Sequence, residues 1–479
     1  MASGTAAGDN KTRPKIEVTH LLYGAVLGAG LLNGIFLSTH DRYPLLLILL
    51  AGLAVLFYLS VKDAVLFLVI LVIFVEGAFS LKVIGKYSAL IEEGALFLFI
   101  LFTILRIPVL VSNLNRFSHK NAKWILMFLV IVILSEIFGS YLRFGQPIQI
   151  GLFTSRHYFR IGIYFFLATV TFRKEEADRF LLLVSLIGLS LAVLILIDTI
   201  LFNTGVIFHV ERSLERLGEV RFNVSTYLIA FSAIMLFIRG RDETRRKWRL
   251  FYLGAVGICL ADLVYCSQTR AVILALFITL TVIEYRKSRK VVFAVIALFL
   301  FSIAYVASDD ILSTRLGGLI KHTQEEAAAN RAKNPGNIKI RMQSYKYYIH
   351  LWITLSPVFG IGTFSKTRFA NDPEFFAQEN FGFHLSDVYG IDTFVRFGAL
   401  GLAFLVMFYF KVIRDLVWLL DRTGKQGRRV LESILFITIY TMLSPTLGNL
   451  LTPNYLFFTG IFLAIIQSMK NELTQVGAG

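Results

Sequence analysis

Charged residues are scarce in this chain: Asp, Glu, Lys and Arg make up 17% of its 479 residues. A soluble domain carries about 25%, so a soluble globular fold is excluded for most of the sequence. Cysteine is nearly absent as well. The two that occur, Cys259 and Cys266, have no zinc-binding spacing, and a disulfide framework would need more of them.

The signature motifs of several enzyme classes are also missing. The sequence has no Walker loop, no Asp-x-Asp metal pair, no His-Glu-x-x-His and no Gly-x-Ser-x-Gly. Asp309 and Asp310 form the only adjacent aspartate pair, at the end of an apolar run, where capping a helix is the simpler role. The sequence therefore predicts neither a bound metal nor a cofactor.

What is abundant is apolar sequence, with 56% hydrophobic residues gathered in long uncharged runs. Because a membrane span needs about 20 apolar residues, these runs predict an all-α fold, a polytopic transmembrane helix bundle of about 12–14 spans. The fourteen predicted spans lie near 20–38, 44–61, 63–80, 88–106, 123–141, 151–171, 180–202, 223–239, 249–266, 268–284, 290–308, 388–411, 430–447 and 452–469.

The net charge of +16 does not indicate nucleic acid, because the basic residues occupy short loops between spans, as the positive-inside rule expects. Alternation of the spans puts every strongly basic short loop on one side, with both termini in the cytoplasm. We therefore divide the chain into a first part of the bundle (1–308), an outer loop with amphipathic helices (309–387) and a last part of the bundle (388–479). Within the loop, Tyr345, Tyr348 and other aromatic residues predict a helix against the membrane surface.

Ionisable residues inside the predicted spans cluster towards the outer side. They are Glu76, Glu92, Glu93, Glu136, Arg156, Arg160, Asp198, Asp262, Arg270 and Arg396. Glu432 is the main exception. Such residues are costly in a membrane and are often functional, so the cluster predicts a polar cavity that opens outward. The alternative is that each residue snorkels to the interface or pairs with a structural partner.

The outer loops are also rich in arginine, against the positive-inside rule. These arginines are Arg212, Arg216, Arg221, Arg315, Arg331 and Arg341. A guanidinium group makes forked contacts with phosphate and stays charged. An outward cavity lined with arginine suits an anionic, lipid-linked ligand such as a diphosphate; binding of anionic lipid headgroups is the alternative.

Four stretches between residues 200 and 405 resemble the O-antigen ligase and O-antigen polymerase superfamily of bacterial membrane glycosyltransferases. The first two resemble an Arg-x-x-Gly-x-x-x-Asn element, from Arg216 to Asn223, and a Ser-x-x-Arg-Ala element, from Ser267 through Arg270. The third resembles an Arg…Trp…Pro-x-x-Gly-x-Gly run and comprises Arg341, Trp352, Pro357, Phe359, Gly360 and Gly362. The fourth comprises His384, Ser386, Asp387, Arg396, Gly398 and Gly401.

The fourth element departs from the ligase pattern. In ligases it opens with a histidine at a fixed distance from the glycines, and here Asp387, not His384, lies nearest that position. The resemblance implies transfer of a glycan from an undecaprenyl-diphosphate donor to a sugar hydroxyl, at the periplasmic face of the bacterial inner membrane and without a metal. It further implies that Arg216, Arg270 and Arg341 bind the diphosphate, with Asp387 or His384 as the base. Further candidates for the diphosphate are Arg212, Arg221 and Arg396.

Three functions remain open on the sequence. The first is a polymerase that joins lipid-linked repeat units of a surface polysaccharide, such as O-antigen or exopolysaccharide, and that has a chain-length regulator as its partner. The second is a ligase that moves the glycan onto lipid A-core. The departure at His384 favours the polymerase. The third is a flippase or transporter, which would spread polar residues along the whole bundle, whereas here they gather towards the outer side.

Overall fold

The structure is a computed structural model that describes residues 63–75, 119–168, 173–202, 226–267, 270–285, 337–364, 391–443 and 453–476. All regular structure in these ranges is helical, which confirms the predicted all-α fold. The α-helices that we number are α1 (Ala64–Val75), α2 (His119–Ser135), α3 (Ile148–Ser155), α4 (Ile163–Ala168), α5 (Lys174–Ile197), α6 (Thr226–Asp242), α7 (Arg246–Asp262), α8 (Arg270–Tyr285), α9 (Asn337–Leu355), α10 (Ile391–Leu420), α11 (Lys425–Leu443) and α12 (Pro453–Val476).

The chain divides into two compact units, residues 1–67 and 68–479. Of the first unit, the structure describes only residues 63–67, where the Asp63 side chain accepts a hydrogen bond from the N–H of Leu66 at 3.0 Å and so caps the start of α1. Helices α2 to α12 all belong to the second unit.

Four helices are long and apolar enough to cross a membrane, and they confirm the spans predicted at 123–141, 180–202, 249–266 and 388–411. They are Asn121–Phe144, Lys174–Leu201, Arg246–Cys266 and Asp392–Leu420. Helices α6, α8, α11 and α12 occupy the positions predicted for four further spans. The predicted spans at 20–38, 44–61, 88–106 and 290–308, and part of the one at 63–80, lie outside the described residues.

Large apolar side chains cover the outer surface of the spanning helices. Val130 on α2, Leu250 on α7, and Val406 and Phe410 on α10 are each more than half exposed. A soluble monomer rarely exposes a wide apolar surface, whereas lipid covers such a surface in a membrane. At the centre of the bundle, α6 packs against α5, α7, α8 and α11, and nearly all of its described side chains are buried.

The segment predicted as one span at 151–171 is a broken helix. Helix α3 ends at Ser155, a 3-10 helix runs through Arg156–Gly162, and α4 follows. The two arginines of this segment, Arg156 and Arg160, lie within the 3-10 helix. The guanidinium of Arg156 donates to the carbonyl oxygen of Phe153 at 2.7 Å and lies 4.0 Å from the centre of the Phe153 ring. The side chain of Arg160 is buried beside His157.

Ion pairs collect at one end of the second unit, which we call the basic end. Arg239 of α6 binds Asp178 of α5 at 2.5 Å, and Arg429 of α11 lies 3.9 Å from the same carboxylate. Glu432 of α11 pairs with Arg241 of α6. These residues come from three basic loops that were predicted to be cytoplasmic, so the structure brings those loops together. Glu432, the exception among the charged residues, belongs to this end.

Candidate functional site

The connection that follows α9, residues 356–364, contains the Pro-x-x-Gly-x-Gly element. Gly360 and Gly362 have φ values of 73° and 76°, in the left-handed region that glycine adopts most readily. These two residues turn the chain sharply after the helix ends. The indole N–H of Trp352 donates to the carbonyl oxygen of Pro357 at 2.9 Å, which holds the turn against α9.

Helix α10 is interrupted at Gly398, whose φ of 66° and ψ of −166° are not helical. In an uninterrupted helix the carbonyls of Val395 and Arg396 would accept from the N–H groups four residues later, those of Ala399 and Leu400. Here all four groups bind the connection instead, and none is left unpaired.

The four exchanged bonds form two pairs. The N–H groups of Ile361 and Gly362 donate to the carbonyls of Val395 and Arg396, at 2.7 and 3.0 Å. The N–H groups of Ala399 and Leu400 donate to the carbonyls of Pro357 and Val358, at 2.9 and 3.1 Å. The third and fourth family-like elements are therefore one structural feature, which we call the junction: residues 356–364 together with the interruption of α10 at Gly398.

A third segment, at the end of α2, packs against the junction. Here the helix widens into a π-helix at Glu136–Tyr141, a form frequent at functional sites. A Cβ atom on Gly139 would lie 2.4 Å from the carbonyl oxygen of Gly360, so glycine lets the two backbones touch.

The carboxylate of Glu136 is completely buried at this contact. One oxygen accepts from both the N–H and the hydroxyl of Thr363, at 2.9 and 2.6 Å, and the other accepts from the hydroxyl of Ser140 at 2.7 Å. Gln146 donates to the carbonyl oxygen of Thr363 at 2.7 Å. Each polar group of Thr363 is thereby bound to the end of α2 or to the turn that follows it.

Arg396 forms an ion pair within its own helix. Its Nε donates to Asp392, one helical turn earlier, at 2.6 Å, and both side chains are largely buried.

After the interruption of α10, about 24 Å of continuous helix separates Ala399 from Asp415, most of the thickness of a hydrocarbon core. Asp415 pairs with Lys470 of α12, and Glu472 of the same helix pairs with Lys174 at the start of α5, so Asp415 lies near the basic end. The junction and the basic end are therefore at opposite ends of the spanning helices.

The structure describes only some of the residues that were predicted for the site. Arg396 is the one candidate whose side chain is described. For Arg270, the first residue of α8, and Arg341, within α9, only the backbone is described. The remaining candidates lie outside the described residues: Arg212, Arg216, Arg221, His384 and Asp387. Within the described ranges, no group of three or more His, Cys, Asp or Glu side chains could hold a metal ion.

Sequence reasoning singled out Glu136 and Arg396 as charged residues inside spans, but it missed Thr363 and Asp392. Asp392 had a visible signal, because an acidic residue four positions before an arginine on a helix forms an ion pair. Thr363 had none. It lies 227 residues from Glu136 in the chain, and nothing in the sequence around it indicates a carboxylate partner.

Comparison with known proteins agrees with the resemblance seen in the sequence. The sequence model of a family described as O-antigen ligase matches residues 255–406, from the middle of α7 into α10. This range contains the second, third and fourth elements and the whole junction. No curated protein sequence matches the chain. The match confirms similarity to the O-antigen ligase and polymerase superfamily and indicates a membrane-embedded glycosyltransferase of that type.

Proposed function

We propose that the protein polymerises lipid-linked repeat units of a surface polysaccharide at the periplasmic face of the bacterial inner membrane. The donor is a glycan on undecaprenyl diphosphate, and the acceptor is a sugar hydroxyl of a second lipid-linked unit. The observation that supports glycan transfer is the O-antigen ligase match over residues 255–406. The grouping of the predicted cytoplasmic loops at the basic end supports the orientation, because it leaves the junction at the other end.

In the proposed reaction, the acceptor hydroxyl attacks the anomeric carbon of the donor sugar. A bond forms between that carbon and the acceptor oxygen, and the bond to the diphosphate oxygen breaks. The electron pair leaves with undecaprenyl diphosphate. The acceptor proton passes to Asp387 or to His384, each of which can act as a general base.

In this proposal, arginine side chains provide the electrostatic stabilisation of the donor diphosphate. Arg216, Arg270 and Arg341 bind the diphosphate and stabilise the negative charge that grows on it as the sugar departs. Guanidinium groups can do this without a metal ion, since they hold phosphate oxygens in forked hydrogen bonds. Arg212, Arg221 and Arg396 have supporting roles. The contact of Arg396 with Asp392 fixes its side chain before any ligand binds.

A ligase that transfers the glycan to lipid A-core is the second candidate, and the description of the matching family as O-antigen ligase favours it. Both reactions use the same donor and differ in the acceptor. The sequence feature that favours the polymerase is Asp387 at the position where ligases have histidine.

The acceptor decides between the two. Purified full-length protein is given a synthetic lipid-linked repeat unit alone, and in a parallel reaction the same donor together with lipid A-core. A polymerase forms dimers and longer glycans from the donor alone. Product that forms only when lipid A-core is present would replace the proposed polymerase by the ligase.

A further inference from the structure

Glu136 is an ionisable side chain inside a predicted membrane span, and its burial is complete. An ionised carboxylate is costly in such a place unless its oxygens are bound. Here they are bound by three hydrogen bonds, two of them from Thr363. The carboxylate therefore fixes the position of Thr363, a residue of the junction.

Thr363 is connected to Arg396 through the backbone of the junction. Gly362, the residue before Thr363, donates its N–H to the carbonyl oxygen of Arg396 at 3.0 Å. Gln146, in the turn that follows the end of α2, donates to the carbonyl of Thr363. Moving Thr363 would therefore move the backbone that carries the guanidinium.

The side chain of Arg396 is held as well as its backbone, because its Nε is bound to Asp392. A side chain that is anchored at its backbone and paired with a carboxylate has little freedom to rotate. Correct placement of this kind matters for rate, since a displacement of about 1 Å can cost roughly 10²-fold.

Glycines make room for this arrangement outside the segment that the family match covers. A Cβ atom on Gly139 would overlap the backbone of Gly360, and one on Gly151 would lie 2.5 Å from a carboxylate oxygen of Glu136. Glu136, Gly139 and Gly151 all precede residue 255, where the match begins. The resemblance therefore assigns no role to these three residues.

We infer that Glu136 is a positioning residue of the glycan transfer, which acts through Thr363 to place Arg396 beside the donor diphosphate. The inference rests on the proposed function, in which Arg396 supports the diphosphate. Glu136 itself touches neither the substrate nor the reacting atoms.

The kinetic test compares substitutions at both ends of the hydrogen bond. Thr363→Val removes the hydroxyl at constant volume, Thr363→Ser keeps it, and Glu136→Gln replaces one of the two acceptor oxygens by an amide N–H group. We expect Thr363→Val and Glu136→Gln to lower kcat per folded molecule by roughly 10- to 10²-fold. The KM for the donor should stay within about threefold, because the lost effect belongs to the transition state. Thr363→Ser should retain most of the activity.

The matched control is Glu432→Gln, which alters another buried carboxylate with arginine partners, but at the basic end. It should lower the melting temperature and leave kcat per folded molecule unchanged. A purely structural role for Glu136 would make its variant behave like this control. With an active wild type, a kcat within about twofold of wild type in both Thr363→Val and Glu136→Gln would overturn the inference.

Hydrogen exchange gives a result that does not depend on activity. In Glu136→Ala, amides of residues 360–363 and 395–400 should exchange faster than in wild type, whereas Glu432→Ala should leave them unchanged. Absence of transfer in the wild type would refute the proposed function, and the exchange rates would still decide on Glu136. Unchanged protection of both segments in Glu136→Ala would refute its positioning role.

Discussion

The N–H of Ile361 donates to the carbonyl oxygen of Val395 at 2.7 Å, a bond that a continuous helix would have given to Ala399. With the three neighbouring bonds, it lets α10 break inside the protein without leaving backbone groups unpaired, which would cost several kcal/mol each in lipid. The break brings the Pro-x-x-Gly-x-Gly element and the glycines of α10 into one feature.

Gly398→Ala should be strongly destabilising. The φ and ψ of Gly398 fall in a region that is essentially restricted to glycine, and a Cβ atom would lie 2.2 Å from the carbonyl oxygen of Val358. We expect a loss of more than about 2 kcal/mol, since such a backbone conformation alone costs about 1–3 kcal/mol and the steric overlap adds to it. Thermal unfolding in detergent measures the change.

Two other glycines separate the cost of the backbone conformation from the cost of the steric overlap. Gly145 has a φ of 76° but open space around a Cβ atom, so Gly145→Ala should show only the backbone cost. Gly254, within α7, has open space and no positive φ, so Gly254→Ala should be neutral or stabilising by up to about 1 kcal/mol. An equal loss in all three variants would contradict this account of the junction.

Arg270 is expected to need its fork as well as its charge. Arg270→Lys should be nearly as damaging as Arg270→Ala, since lysine keeps the charge but cannot form paired contacts with phosphate. Loss of one anion contact in the transition state typically costs roughly 10²–10³-fold in rate. Glycan product in a complementation assay measures the effect, and normal product from Arg270→Ala would remove this residue from the proposed site.

The base can be assigned by separate substitutions at Asp387 and His384. We expect neutralisation of the true base to abolish turnover while the donor still binds, because the diphosphate is held by arginines. Asparagine caps a helix as well as aspartate does, so Asp387→Asn should fold even if Asp387 caps the span predicted at 388–411. A folded and fully active Asp387→Asn protein would leave capping as its role, and His384→Ala would then be the inactive variant.

The orientation of the bundle can be tested with introduced cysteines. Thr244 lies in the loop between α6 and α7, Met342 lies on α9, and both are exposed, whereas the native Cys259 and Cys266 are buried. We expect an impermeant maleimide to label Met342→Cys in intact spheroplasts and Thr244→Cys only after lysis. The reverse pattern would invert the proposed topology.

Apolar run length was sufficient to predict the described spanning helices, because any continuous helix of about 20 apolar residues fits the membrane. It could not predict where those helices break. The interruption at Arg156–Gly162 and the one at Gly398 depend on partners elsewhere in the chain. Gly360, Gly362 and Gly398 were visible as a motif, but the exchange of hydrogen bonds among their neighbours is a property of the packed structure.

In the proposed reaction, the protein transfers a glycan from a lipid diphosphate by means of its own side chains. The most direct test incubates the purified protein with a synthetic undecaprenyl-diphosphate repeat unit, with and without EDTA. The amounts of new glycosidic bond and of released undecaprenyl diphosphate are then measured. We expect one undecaprenyl diphosphate to be released for each glycosidic bond formed, at the same rate in EDTA. Failure to form a glycosidic bond under either condition, or loss of the reaction in EDTA, would contradict the proposed reaction.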